Sequence, residues 1–381
     1  MGDEGGRLGW WRWLLVQVVQ HAGLALAGAT AMQVLRLLIL PGAARRRERL
    51  GYKLANLGNP PKGLPPIAPV TRVSPRVVRL LGLNPGPFTL QGTNTYLVGT
   101  GSERILVDAG DGAAAYLTQL RKVLREEKAT LSHVVITHAH EDHVGGVPAL
   151  RRAFPGLRVW KQPRSSLEVD PGGRPYDGIL QNGTVVAEEG ATLRAVLTPG
   201  HTVDHVALVL EEEGSVFTGD CVLGSGTAIF EDLHQYMGSL RILKRELQGY
   251  RKLAEHGVEG EGGSFVLVGR ENSSFAAGEG VGRIYPGHGL VVDDGVARVE
   301  EYIAHRQLRE DQIVRLLGSH GTMNVAKLVD MIYADQHLSW IVKRGAARSV
   351  RQHLDKLHKE DAVRSLRQDE WELAHPGSKS D

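Results

Sequence analysis

A single cysteine, Cys221, stands in the 381 residues, so no internal disulfide can staple this chain and a reducing compartment is compatible with it. Aromatic residues are few, at 6%, which argues against a broad base-stacking platform. An excess of one charge sign is also missing: the net charge is +2, too small a bias to announce nucleic-acid binding by itself. Between residues 5 and 47 acidic side chains are absent altogether, although Arg7, Arg12, Arg36 and Arg45 to Arg47 supply positive charge. What remains is ordinary globular composition, 42% hydrophobic and 23% charged, with length for one large domain and a small second one.

The acid-poor N-terminus supports two readings, and residues 1–55 are assigned to it. An arginine-bearing, helix-forming leader fits a mitochondrial presequence and a matrix protein, although serine is scarce. The run "WLLVQVVQHAGLALAGATAMQVL", residues 13–35, is also long enough to contact and span a bilayer, where about 20 residues suffice. "RRRER" would then be its cytoplasmic flank, with the rest of the chain in the cytosol. Residues 56–73, which include "NLGNPPKGLPPIAPVTR", read as a proline-stiffened linker, and the folded part is expected to begin near Ser74.

From Arg76 onward short β-rich runs alternate with helical ones. "RVVRLLG", "NTYLVGT", "RILVDAG" and "HVVITHA" read as strands, and "AAYLTQLRKVLREE" between them has apolar residues at helical spacing. "LRVWKQ", "LRAVLTPG", "HVALVLEEE" and "SVFTGDCV" follow, then a helix around "GSLRILKRELQGYRKLAEH" and a last strand, "GRIYPGHG". The class is α+β, a mixed sheet system covered by helices, over residues 74–318. Within it residues 257–282 are glycine-rich and lack helical period, which marks a surface insertion. After Gly295 one long amphipathic helix precedes "TMNVAKLVDMIY" and "GAARSVRQHLDKLHKEDAVRSL". Residues 319–374 read as a small helical module of winged-helix type. Lys343, Arg344, Arg348, Arg351, Lys356, Lys359, Arg364 and Arg367 make its last part basic, which fits a solvated face or phosphate contact.

The densest chemistry lies in "VVITHAHEDHVGG", Val134 to Gly146. On an extended segment alternate residues share a side, so His138, His140 and Asp142 should project together from the strand end. His143 follows where two glycines let the backbone turn into the next helix. Neutral imidazoles suit Zn²⁺, and a site with few protein ligands keeps a position open for water. Three further candidates end later strands beside glycine: His201 in "LTPGHT", Asp220 in "FTGD" and His288 in "YPGHG". Five histidines and two aspartates make a natural two-metal site, with Asp220 able to bridge metals ~3.5–4 Å apart. Two Zn²⁺ are expected, although Mn²⁺ or Fe²⁺ could occupy the same ligands.

The order HxHxDH, GHT, GD, PGHG resembles the metallo-β-lactamase superfamily over Val78 to about Leu317. That resemblance implies an αββα sandwich with its metals on one edge. One metal would take His138, His140 and His201, the other Asp142, His143 and His288, with Asp220 shared. The aspartate at 220 points away from true lactamases and toward hydrolases of phosphodiesters or thioesters. "LGLNPGPFTLQGTNTYLVGTG", the stretch from "LTPGHT" to "QYMGSL", and "YIAHRQLREDQI" are similar to the lactamase-beta-like protein 2 family, as is the C-terminal module. This closer resemblance implies a mitochondrial endoribonuclease acting on single-stranded RNA. Ala139 and Glu141 depart from the pattern, and Glu141 adds negative charge where a phosphate must approach.

On that reading Asp142 is the candidate proton acceptor from the nucleophile. Asn94, Thr95, Thr227 and Tyr236 are candidate substrate contacts, and His205 is a candidate acid or a support for His201. Cys221 should face away from the metals into the core, one strand residue along from Asp220. A thioesterase is the rival, because a small acyl thioester needs the same hydroxide and Lewis acid. A metal-stabilised scaffold that only binds RNA would have no need of open coordination positions.

Overall fold

The computed structural model describes residues 44–256, 280–334, 340–366 and 369–374. It opens with helix α1 (Ala44–Ala55). A seven-stranded sheet then follows chain order: β1 (Val70–Arg72), β2 (Val77–Leu81), β3 (Asn94–Val98), β4 (Glu103–Val107), β5 (Thr130–Ile136), β6 (Arg158–Lys161) and β7 (Gly178–Ile179). Strands β1 to β4 pair antiparallel, whereas β4 through β7 are parallel. Helices α2 (Ala114–Glu126), α3 (Glu141–Val144) and α4 (Val147–Ala153) supply the crossovers that parallel pairing demands.

Strand alternation builds the layers. Val134 and Ile136 point to the helix side, among Tyr116, Leu120, Val123 and Leu150. Val135 points the other way, into a core shared with Val206, Leu208 and Phe217. Those residues belong to a five-stranded sheet of β8 (Val185–Glu188), β9 (Ala191–Leu197), β10 (Val206–Leu210), β11 (Ser215–Gly219) and β12 (Ile284–Pro286). Ala207, Val209 and Val216 alternate outward and meet Tyr236, Leu240, Val296 and Val299. These come from α5 (Leu233–His256) and α6 (Gly295–His320), so the order of layers is helix, sheet, sheet, helix.

Helix α6 is a shared spine. Its first half closes the outer layer through Val296, Val299 and Tyr302, and its second half carries Ile313 and Leu317 into a separate core. That core is completed by β13 (Met323–Asn324), α7 (Val325–Ile332), α8 (Trp340–Lys359), β14 (Val363–Ser365) and β15 (Glu370–Leu373). The three short strands form a sheet in the order β13-β15-β14. The module is therefore a winged helix with its sheet, not helices alone; strands of two to four residues are too short to leave a readable alternation.

The N-terminal expectations need correction where residues are described. Residues 44–55 form a helix packed on the domain, and the linker ends in β1, which pairs with β2 before Ser74 is reached. An edge strand that follows Pro69 and has three residues gives no sequence signal. Residues 13–35 and most of the glycine-rich insertion, 257–279, lie outside the described residues. No helix among the described residues is long and apolar enough to cross a membrane.

Candidate metal centre

The carboxyl ends of five strands meet at one edge, the place where parallel sheets expose loops for ligands. Asp108 follows β4, His138 and His140 follow β5, His201 follows β9, Asp220 follows β11 and His288 follows β12. The structure gathers all seven expected ligands there, in two groups: His138, His140, His201 and Asp220, and Asp142, His143 and His288. Asp142 does not project beside His138 and His140 as an extended chain would require. Strand β5 stops at Ile136, His140 is the extended residue capping α3, and one helical turn swings Asp142 and His143 toward His288.

In the first group His138 Nε2 and His201 Nε2 stand 3.0 and 3.1 Å from His140 Nδ1. His201 Nδ1 faces the Ile229 carbonyl at 2.6 Å, which leaves Nε2 as the lone-pair atom. Burial, reinforced by neighbouring His143 and His140, holds His138 well below the usual imidazole range. Burial and His201 bring His140 down to about 4. Neutral imidazoles aimed at one point are what a transition metal requires.

Asp220 stands between the groups. Its Oδ2 lies 3.7 Å from His201 Nε2, 3.9 Å from His138 Nε2 and 3.3 Å from His288 Nε2, while Oδ1 lies 3.4 Å from His143 Nε2. In the second group Asp142 Oδ2 lies 3.2 Å from His143 Nε2 and 3.3 Å from His288 Nε2. Burial opposes charge on both histidines, but the carboxylates outweigh it: His143 is raised well above its ordinary value and His288 to about 9. Burial likewise opposes ionisation of Asp142 and Asp220, yet their histidine neighbours keep both well below the carboxylate range.

The donor set fits divalent cations. His143 Nε2 and Asp220 Oδ1 are fully buried and have no hydrogen-bond partner, an arrangement that is costly unless something else satisfies them. The close approach of Gly287 fits as well, since a Cβ there would lie 2.3 Å from Asp220 Oδ1.

Supports surround the ligands. Asp108, 2% exposed, faces His143 Nδ1 at 2.7 Å and accepts from the backbone and hydroxyl of Thr137. Its φ of 61° is a strained backbone for a non-glycine residue, of a kind that persists where surroundings enforce it. Asp108 is not among the residues expected above, although it too ends a strand beside glycine, in "LVDAG". His205, lowered to about 3 by burial and by His201, accepts from the Asp220 amide at 3.2 Å. It braces Asp220, not His201, and its Nδ1 is taken up by Thr198 Oγ1 at 2.8 Å.

The expected substrate contacts are relocated. Asn94 is buried, and its Nδ2 donates to the carbonyls of Pro286 and Gly289 at 2.9 Å each, clamping the loop of His288. Thr95 is buried against Leu80 O and Tyr116 Oη. Tyr236 is 0% exposed and donates to Cys221 O at 2.6 Å, so it is core, as is Cys221. Thr227 is exposed but serves Arg306, which donates to its hydroxyl. Each of the first three sits on a regular element whose side chain the layer packing points inward.

Residues 88–293 match the model of the metallo-beta-lactamase superfamily, and 325–371 that of the beta-lactamase associated winged helix domain. The chain belongs to the metallo-beta-lactamase superfamily. Within the superfamily it is 38% identical to a beta-lactamase-like protein 2 homolog of Caenorhabditis elegans, over 75% of this chain and 85% of that protein. A beta-lactamase-like protein 2 homolog of Drosophila melanogaster is also 38% identical, over 74% of this chain and 93% of that protein. An atrochrysone carboxyl ACP thioesterase of Aspergillus fumigatus is 38% identical over 73% of this chain and 79% of that one. A beta-lactamase domain protein from Burkholderia ambifaria has the same fold, with TM-score 0.61 and 19% identity over 83% of this chain and 97% of that one. The chain is thus a member of the metallo-beta-lactamase hydrolase superfamily, and its His/Asp clusters are the candidate divalent-metal site.

Proposed function

We propose that this hydrolase holds two metal ions, most simply Zn²⁺, and cleaves single-stranded RNA. His138, His140 and His201 would hold one ion, Asp142, His143 and His288 the other, with Asp220 between them. Once bound, the pair supplies Lewis acidity that activates water and stabilises charge growing on the electrophile. Asp142, kept anionic by His143 and His288, is the group that accepts the proton of the attacking water. Asp108 and Ile229 O hold the Nδ1 protons of His143 and His201, which would leave Nε2 of each to ligate an ion once any proton there is displaced.

The observation that carries RNA is where the winged helix sits. Gln352 of α8 donates to Glu231 O at 2.9 Å, and Lys359 pairs with Asp232 at 2.7 Å. This is the segment whose Ile229 holds His201, so a strand gripped by the module would run to the metals. Glu141, the feared repulsive charge, is offset by Arg49 at 3.1 Å. The resemblance of the motifs to the lactamase-beta-like protein 2 family supports RNA as the substrate class, and a matrix location would follow from the leader reading.

A second reading, an acyl thioesterase, is favoured by the exposed apolar rim. Val203 and Ile229 flank His201, Leu290 follows His288, and Phe88 stands on the loop before Thr93, all exposed. Five of the basic residues of the module are also paired with acids: Lys343 with Asp330, Arg351 with Asp369, Lys356 with Glu310, Lys359 with Asp232 and Arg364 with Glu372. The test is the zinc-loaded full chain against a labelled single-stranded RNA and an acyl thioester, each beside Asp142→Ala. RNA cleavage lost in the variant is the expected result; thioester turnover with intact RNA would overturn it.

A further inference from the structure

Helix α1 precedes every metal motif in the chain, yet it reaches the surroundings of the centre at two points. Arg49 Nε meets Glu141 Oε1 at 3.1 Å, and Glu141 is the neighbour of Asp142 on α3. Three residues further along the same helix face lies Tyr52. Its hydroxyl donates to Asp111 Oδ2 at 3.4 Å and accepts from Asn84 Nδ2 at 2.8 Å. Asn84 Nδ2 directs a second bond to Thr93 Oγ1 at 3.0 Å, while Asn84 Oδ1 accepts from the Thr93 amide at 2.9 Å. Thr93 Oγ1 in turn donates to Asp142 Oδ2 at 2.9 Å, the oxygen that faces His143 and His288.

Every side-chain proton in this run has an acceptor. Both amide protons of Asn84 are committed, the tyrosine proton goes to Asp111 and the threonine proton to Asp142. The C-terminal end of α1 is clamped as well: Asn56 Oδ1 accepts from the Phe88 amide and the Thr89 hydroxyl at 3.3 Å each. Gly86 makes that approach possible, since a Cβ there would lie 2.5 Å from Asn56 Oδ1. A helix joined by a proline-rich stretch is thus tied to the catalytic domain on both sides of Asp142.

We infer that α1 is a wall of the metal centre and that Tyr52 is a positioning residue for its Asp142–His143–His288 half, acting through Asn84 and Thr93. The inference rests on the two-metal reading above and holds for RNA and thioester alike. A carboxylate fixed by a threonine hydroxyl enters metal ligation with its rotation already restricted, and loss of such outer partners costs about 10- to 100-fold in metal affinity. If a leader is removed from this protein, the cut must fall before residue 44 for the wall to persist.

Titration of metal-free full-length protein with Zn²⁺ against a chromophoric chelator tests this. Wild type should take up two equivalents. Thr93→Val should weaken the second by about 10-fold or more and leave the first unchanged, while Thr93→Ser behaves as wild type. Tyr52→Phe, which keeps the ring and its packing, should weaken the second by roughly 3- to 10-fold. The Tyr52→Phe/Thr93→Val pair should be no weaker than Thr93→Val alone, because the run is already cut. An unchanged second equivalent in Tyr52→Phe, equal weakening of both equivalents, or additive losses in the pair would overturn the positioning role. Should Thr93→Val not fold, Tyr52→Phe decides alone. Uptake of a single equivalent by wild type would overturn the two-metal reading and this inference together.

Discussion

Replacing Asp108 with asparagine changes one atom of a buried side chain and should disable the half of the centre that contains His143. Asp108 Oδ1 accepts from the Thr137 amide at 2.8 Å, and Oδ2 faces His143 Nδ1 at 2.7 Å. The one remaining oxygen of asparagine belongs with the Thr137 amide, where an NH₂ group would meet donor to donor. That orientation turns the new NH₂ toward His143, whose Nδ1 must then accept and whose proton moves to Nε2. Nε2 is the buried, unpartnered atom lying 3.2 Å from Asp142 and 3.4 Å from Asp220, and with a proton it cannot ligate. Losing a carboxylate behind a metal-bound imidazole costs about 10- to 100-fold in affinity, or about 1.4–2.7 kcal/mol. His143 is 0% and Asp108 2% exposed, so solvent does little to soften the loss. Without metal, losing a bond between charged groups should destabilise the fold by roughly 1.5–3 kcal/mol. Chelator competition measures the first quantity and denaturant unfolding of metal-free protein the second. A folded Asp108→Asn protein that binds metal within twofold of wild type would refute the tautomer argument.

Other expectations follow from the same contacts. Asp220→Ala should abolish turnover and reduce metal uptake, because this carboxylate faces both histidine groups; full retained activity would refute its shared role. Tyr236→Phe strands the buried Cys221 carbonyl and should cost about 1–3 kcal/mol of stability while leaving KM unchanged; a raised KM would return Tyr236 to the substrate. In metal-free protein the folded-state value of His288, about 9, lies above the ordinary 6.5. Its stabilising contribution is therefore complete below pH 6.5 and is lost as the pH rises toward 9, so the metal-free melting temperature should fall across that window; a flat profile is the contrary result. RNA affinity should fall with salt at a log–log slope shallower than about −2, the value for three phosphate contacts on a single strand, and a steep slope would show that the paired cations open to bind.

The parts that could be read from the sequence were those repeated along it. Strands β2 to β5 and β9 to β11 show as apolar runs because both faces of each sheet are covered, and three of the four ligand-bearing segments follow such runs beside glycine. Strands β1, β7 and β13 to β15 have two to four residues, too few for alternation to stand out from a loop. Strand alternation puts Asp142 beside His138 and His140, whereas the structure groups it with His143 and His288, the set that the family resemblance implies. Strand periodicity does not extend past Ile136: a helical turn begins at Glu141, and a rotation of that kind decides which histidine group a carboxylate joins.

What the sequence concealed were the partners of polar groups. Glu141 reads as a bare charge beside the metals, yet Arg49 reaches it from a segment read as leader. Asn94, Thr95 and Tyr236 have the chemistry of substrate contacts, but Asn94 Nδ2, Thr95 Oγ1 and Tyr236 Oη are already committed to Pro286, Leu80 and Cys221. A row of lysines and arginines suggests a nucleic-acid face, and in the fold Arg351 makes two bonds to Asp369 and Lys356 lies buried against Glu310. A pair of this sort contributes little attraction to a distant phosphate, because the field of the cation is cancelled within a few ångströms. On the proposed reading the winged helix would bear on the substrate through where it is docked, on the segment that steadies His201, more than through its count of basic residues. On that reading substrate choice would turn on shape and on the apolar rim at the metal edge, which is why RNA and a thioester have to be compared on the same intact chain.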